Sequence, residues 1–287
     1  YAESTVSSFP IHVSLFLNSM AREGKSNLHA ITSHDVKNFI AHQMRTRREN
    51  KFGYLSQSYI NKRITAINLF GTYLYKTTGI MHELYQKQLM GEHPHRIVLT
   101  KKEIDKLFQA THLSGNSAYQ SRDRAILSIF YGCGLRKKEG SMLNLEDLYL
   151  NHNIIHVRHG KNKSQRIVPI SSQVKSHLEE YLKHGRPFFA KLYRAACAPP
   201  SQALFINQES KRMNDGFYYR LNKLRHLAAI KKQFGLHTLR HSIASHLLYG
   251  GMSLEGIAEF LGHTSLDSTQ IYTHLVNEFL YESSYEF

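Results

Sequence analysis

The chain has 287 residues, long enough for two domains with separate cores. Lysine and arginine outnumber aspartate and glutamate 37 to 22, and a formal net charge of +15 points to a polyanion or an anionic surface as partner. No stretch approaches the roughly 20 apolar residues of a membrane span, no signal peptide is visible, and two cysteines, Cys133 and Cys197, make no disulfide framework, so a reducing, cytoplasmic setting is expected.

Residues 1–90 predict helices. Val6, Phe9, Val13, Phe16, Leu17 and Met20 form one apolar stripe, in which Pro10 predicts either a kink or a start near Phe9. Thr32 and Asp35 have capping-box spacing ahead of a second stripe, Val36, Phe39, Ile40 and Met44. A third runs Ile60, Ile64, Ile67, Phe70 and Leu74, with Lys62 and Arg63 on its other face. Between the second and third lies a basic run, Arg45, Arg47, Arg48 and Lys51, broken by Glu49. On a solvated loop such a run is usually inert; in a chain this basic it is assigned to phosphate contact. The chain opens at Tyr1 rather than Met, which leaves room for residues upstream.

Met90 to Val98 has no apolar periodicity and predicts a linker over 91–98, between domains at 1–90 and 99–287. Thr100 and Glu103 then form a capping box for a helix over 101–110. Ser121 to Tyr131 reads as a helix, with Cys133 a buried thiol at its end. Gly132 and Gly134 permit a tight turn that displays Arg136, followed by Glu139. Residues 154–158 and 165–170 are β-like runs joined by a basic turn holding Lys161 and Lys163. A helix over 172–183 and a short strand, Leu204 to Ile206, follow. Asn214 is placed to cap a helix with Phe217, Leu221 and Leu224 inside. Arg220 and Lys223 on that helix are candidate DNA contacts in a groove, although the same pattern also describes a solvated face.

The densest chemistry lies near the end. His237 and Arg240 sit three apart at the start of a helix that Gly250-Gly251 terminates. Ser253 caps the next helix, Gly262 stops it, and His263 follows; Ser265 precedes a helix carrying Tyr272. A phenol is a weak nucleophile until its proton is taken. The pentavalent state of an attacked phosphodiester carries extra negative charge, which fixed arginines stabilise. Alone, an H-x-x-R or a single tyrosine is unremarkable; four such fragments in order, each at an element end, favour a site.

The chain resembles a tyrosine recombinase of the integrase family, near in pattern to Xer-type recombinases and mobile-element integrases. Gly134-Leu-Arg136 with Glu139 matches the first box of that family. His237-Thr-Leu-Arg240-His241, Leu261-Gly-His263 and Gln270-Ile-Tyr272 match its second. The pattern G-K-x-x-K-x-R places the catalytic lysine at Lys161, with Lys163 a close rival because the turn register is not readable. Gly140 departs from the family, which usually has a larger apolar residue there.

The resemblance implies a mainly α fold with a small antiparallel sheet. It consists of a four-helix core-binding domain and an α+β catalytic domain whose tail docks on a neighbouring protomer. It implies a site-specific recombinase that joins Tyr272 to a 3′-phosphate. Arg136, Arg240 and His263 then stabilise the phosphate, Lys161 protonates the departing 5′-oxygen and His237 assists proton transfer. Glu139 is expected to orient an arginine or stabilise its loop. Arg45, Arg47, Arg48, Lys62, Arg63, Lys163, Arg220 and Lys223 are the expected DNA contacts. The implied partner is double-stranded DNA with paired sites, bound by a homo-tetramer or with a paralogous recombinase. No cofactor and no metal are expected, since the covalent link conserves the phosphodiester energy and arginines supply the positive charge. A type IB topoisomerase shares this chemistry, and a non-catalytic DNA-binding protein shares the charge. A metal site built from the nineteen histidines is disfavoured, because His237 and His241 have no Glu between them and no cysteine pair helps.

Overall fold

A computed structural model of the chain describes residues 3–45, 55–90, 97–158, 165–192 and 201–262. The chain divides into two compact units, Tyr1–Pro94 and His95–Phe287.

The first unit holds three long helices among its described residues: α1 (Glu3–Arg22), α2 (Ser33–Arg45) and α3 (Gln57–Thr78). Their stripes meet in one core containing Phe16, Met20, Val36, Phe39, Ile60, Ile64 and Ile67. Pro10 lies inside α1, which starts well before Phe9. The Ser56 hydroxyl caps the start of α3, and Gly79 ends it at φ 70°. Residues 79–90, read as part of a helical domain, include an extended strap on α3. The Asn68 amide exchanges two hydrogen bonds with the Gln86 backbone, and Asn61 does the same with Leu89. Two asparagines seven apart on one helix face thereby stand in for a pairing strand.

The second unit begins with α4 (Lys101–Ala110), started by the capping box of Thr100 and Glu103. α5 (Ser117–Leu127) starts four residues earlier than expected, because the Asn116 side chain caps it, and passes into a π-turn over Ser128–Gly132. α6 (Lys137–Met142) follows. Gly140 has a packing reason: a Cβ there would lie 2.7 Å from two carbons of the Phe130 ring, which fills the space instead.

β1 (Leu148–Tyr149), β2 (Ile154–Val157) and β3 (Arg166–Pro169) form an antiparallel sheet in the order β1-β2-β3. Val157 pairs with Arg166, so Ile155, Val157 and Val168 face the core together. α7 (Ser172–Glu180), α8 (Arg186–Leu192), α9 (Gly216–Leu227), α10 (Leu236–Tyr249) and α11 (Leu254–Leu261) complete the described helices. Leu204 to Ile206 is buried but joins no sheet; Ile206 makes only an isolated bridge to Arg212. Asp215 rather than Asn214 stands at the N-cap of α9, and it makes no side-chain cap.

Candidate functional site

The site is built around one buried carboxylate. Beyond the π-turn, Gly134 adopts φ 59°, a left-handed conformation that an L side chain resists, and Leu261 closes to 2.7 Å of where a Cβ would sit. The turn delivers Arg136 to the start of α6, where the Arg136 amide donates to Glu139 Oε2 at 2.8 Å and its Nη1 to Oε1 at 2.7 Å. Glu139 thus holds both the backbone and the guanidinium of Arg136, the orienting task read for it in the sequence.

A second arginine reaches the same carboxylate from the sheet. Arg166, opening β3, donates Nη1 to Oε1 and Nη2 to Oε2, both at 3.0 Å. This fork matches a carboxylate in plane. Arg240, one turn into α10, donates to the carbonyls of Gly134 at 2.5 Å and Leu261 at 2.6 Å, and its Nη1 lies 3.8 Å from Glu139 Oε2. Gly262 ends α11 at φ 65°, its carbonyl accepts from Arg136 Nη2 at 3.2 Å, and Arg166 Cδ lies 2.7 Å from where its Cβ would be. Four segments far apart in sequence are thereby tied at one point.

Burial alone would raise the Glu139 pKa; the hydrogen bonds and charge of Arg166, then the bonds from Arg136, prevail and hold it at about 2. Among the described residues one anion therefore faces three guanidiniums, a net positive cluster. Arg136 is its most open member, with a side chain 23% exposed against 4% for Arg240. His237, in the first turn of α10, is exposed. Desolvation of the part that packs inward, then the charges of Arg240 and Arg136, lower its pKa, which favours the neutral imidazole near neutrality. The arrangement suits a phosphate: fixed cations, an open guanidinium and a neutral imidazole.

Of the catalytic candidates, Arg136, His237 and Arg240 share this neighbourhood, whereas Lys161, His263 and Tyr272 lie outside the described residues. Arg166 was missed as a site residue. It closes the run Gly160-Lys-Asn-Lys-Ser-Gln-Arg166, in which Ser164 stands at the second lysine of the G-K-x-x-K-x-R pattern, but its partner lies 27 residues away in sequence.

The candidate DNA contacts divide. Arg45 and Lys62 are exposed, while Arg47, Arg48 and Lys163 lie outside the described residues. Arg63 is buried, with its guanidinium 5.1 Å from the Tyr59 ring centre. Arg220 requires a correction. It shares the inward face of α9 with Phe217, Leu221 and Leu224, is 4% exposed, and pairs with Asp123 at 2.8 and 2.5 Å. Its charge is thus spent inside the unit rather than in a groove. Lys223 is half-buried and donates to the Ser114 carbonyl at 2.9 Å. Among the described residues no cluster of three His, Cys, Asp or Glu side chains could hold a metal, and no helix is long and apolar enough to cross a membrane.

Comparison with known proteins accords with this geometry. Residues 97–278 match the family described as the phage integrase family. The tyrosine recombinase XerC of Thermodesulfovibrio yellowstonii is 34% identical over 231 residues, covering 77% of this chain and 72% of that protein. The tyrosine recombinase XerD of Bifidobacterium longum is 30% identical over 286 residues, covering 98% and 90%. In fold, the chain is similar to the XerH site-specific recombinase in a post-cleavage complex with its difH substrate, with a TM-score of 0.71, 22% identity, and 89% and 72% coverage. It is also similar to the Tn1549 transposon integrase bound to transposon end DNA, with a TM-score of 0.72, 16% identity, and 95% and 89% coverage. With a glutamate-centred arginine cluster at the positions of the two family boxes, and a family match spanning more than half of its length, the chain belongs to the phage integrase family and is a tyrosine recombinase.

Proposed function

We propose that the chain recombines DNA at specific paired sites, with Tyr272 as nucleophile. The observation that supports this reading is the cationic cluster around Glu139, in which Arg136 and Arg240 are oriented by bonds that fix their guanidiniums before DNA arrives. Preorganised cations stabilise a pentavalent phosphorane without reorganising during the reaction.

In the proposed cycle the Tyr272 oxygen attacks the scissile phosphorus. A 3′-phosphotyrosyl bond forms as the bond to the 5′-oxygen breaks. His237, neutral in the free protein, accepts the phenolic proton. Lys161 delivers a proton to the 5′-oxygen, with Lys163 the alternative donor. Arg136, Arg240 and His263 hold the non-bridging oxygens. Attack by the 5′-hydroxyl of a partner strand then reverses each transfer, so bond energy is conserved and no nucleotide is consumed. We further propose that a homo-tetramer, or an assembly with a paralogous recombinase, synapses two sites. The segment after Tyr272 would dock on a neighbouring protomer. Its DNA substrate would place the protein in the cytoplasm, at the nucleoid.

A nicked suicide substrate tests the nucleophile. Tyr272→Phe is expected to keep DNA affinity and form no covalent adduct; an adduct surviving that change moves the role to another tyrosine. A 5′-phosphorothiolate, whose leaving thiolate needs no proton, is expected to rescue Lys161→Ala. Rescue of Lys163→Ala instead shifts the acid by two residues.

A further inference from the structure

A cleft of about 560 Å³ opens where the starts of α5 and α9 meet, lined by Ser114, Asn116, Arg122, Gly216, Arg220 and Lys223 among others. Neither Arg136, His237 nor Arg240 lines it. Its charges do not balance. Asp123, wholly buried, is chelated by Arg220 through both oxygens. Arg122, 3% exposed, has no carboxylate within ion-pair distance among the described residues. Its Nη1 donates to the Ile206 carbonyl at 3.1 Å, and its guanidinium lies 3.8 Å from the Phe189 ring centre and 5.0 Å from that of Tyr119. Its Nε is buried without a partner, and so is the Ser114 hydroxyl. Lys223 and Arg220 both donate to the Ser114 carbonyl, bringing two more cations to the same wall. Of the acidic groups at hand, Asp123 is committed to Arg220, and Glu209 at the rim pairs with Lys211 at 3.0 Å.

The start of α9 adds to the imbalance. First-turn amides lack partners within their helix and carry the positive end of its dipole. Asp215, the N-cap residue of α9, leaves those amides without a side-chain acceptor and binds Lys137 Nζ at 2.8 Å instead. Burying a cation with no counter-ion is costly, and the cost is relieved when an anion arrives. The cleft is far larger than one oxyanion and falls in the range of small-ligand sites, so the anion would belong to a larger molecule.

We propose that this cleft binds a phosphate group, held between Arg122, Lys223, the Ser114 hydroxyl and the first-turn amides of α9. Two sources carry that chemistry: a DNA backbone phosphate away from the cleaved bond, or a free phosphate or nucleotide. Occupancy without DNA does not depend on the recombinase reading; the DNA source does.

Heat unfolding of the full chain tests occupancy directly. Millimolar inorganic phosphate, compared with chloride at matched ionic strength, is expected to raise the melting temperature saturably by roughly 3–6 °C. Arg122→Met is expected to lose that rise and to be no less stable than the wild type in chloride, because it removes a buried charge that no carboxylate contacts directly. Should that variant fail to fold, Lys223→Gln is expected to weaken the phosphate response at least severalfold. Binding to DNA carrying one methylphosphonate linkage at a time separates the sources. A linkage that weakens the wild type but not Arg122→Met identifies a DNA phosphate. A phosphate-induced rise that persists on DNA-bound protein, with no such linkage, identifies a free ligand. Equal melting in phosphate and chloride, with no linkage sensitive to Arg122, overturns the proposal.

Discussion

Among the buried carboxylates of the second unit, Asp123 and Glu139 organise arginines in opposite ways. Asp123 is chelated by one arginine, Arg220, and both partners are sealed from solvent. Glu139 accepts from Arg136 and Arg166 and lies near Arg240, with Arg136 partly open. A one-to-one fork uses up the charge of its arginine and acts as a lock between α5 and α9. One anion shared among three cations fixes their positions while leaving positive charge to offer a substrate. Whether an arginine is a fastener or a tool is thus set by how many cations its carboxylate must serve.

The largest expected effect comes from breaking the lock. Asp123→Asn leaves Arg220 buried beside Arg122 without any anion, and should cost about 3–5 kcal/mol of unfolding free energy in denaturant titrations. Replacing Asp123 and Arg220 together with leucines should cost much less, because no charge is left unpaired. A double change as costly as the single one would mean that packing, not charge, holds that contact.

Glu139→Gln should be milder in stability, about 3 kcal/mol, since Arg136 can turn to solvent. It should also slow single-turnover cleavage, because the clamp loses its anchor. The sign of its pH dependence follows from a folded pKa of about 2. That contribution is fully present above the ordinary glutamate pKa of about 4.3 and is lost as pH falls towards 2. The variant should therefore show a flatter stability profile across that window. An unchanged slope would assign acid sensitivity elsewhere.

Arg166→Lys retains the charge but not the fork. Misplacing a clamp by about 1 Å costs up to roughly 100-fold in rate. A slower cleavage step with little change in DNA affinity is therefore expected in rapid-quench measurements. A loss confined to affinity would make Arg166 a DNA contact rather than a positioning residue.

The smallest effect concerns His237. Its lowered pKa means that the proton-accepting form persists below the ordinary imidazole pKa of about 6.5. The acid limb of kcat/KM, which reports the free protein, should fall below that value. A limb at or above it would remove His237 as the base.

Much of this was legible in the chain itself, for a physical reason. The capping box of Thr100 and Glu103, the Ser253 cap, the Gly262 stop and the two strand runs flanking the basic turn, though not their register, all depend on residues within a few positions of one another. Sequence order fixes such geometry directly, so Arg136, His237 and Arg240 could be placed at element ends before any fold was known. The tertiary structure decided which cations share an anion. The pairing of Arg166 with Glu139 spans 27 residues and that of Arg220 with Asp123 spans 97. Neither leaves a local signal, because an arginine has the same helical propensity and the same long amphipathic stem whether it faces water or a buried carboxylate. On α9 the basic residues therefore read as an outer face, while packing turned Arg220 inward. The strap of residues 79–90 was hidden for a related reason: its hydrogen bonds come from Asn61 and Asn68, and a polar residue within a helix does not announce what it will hold.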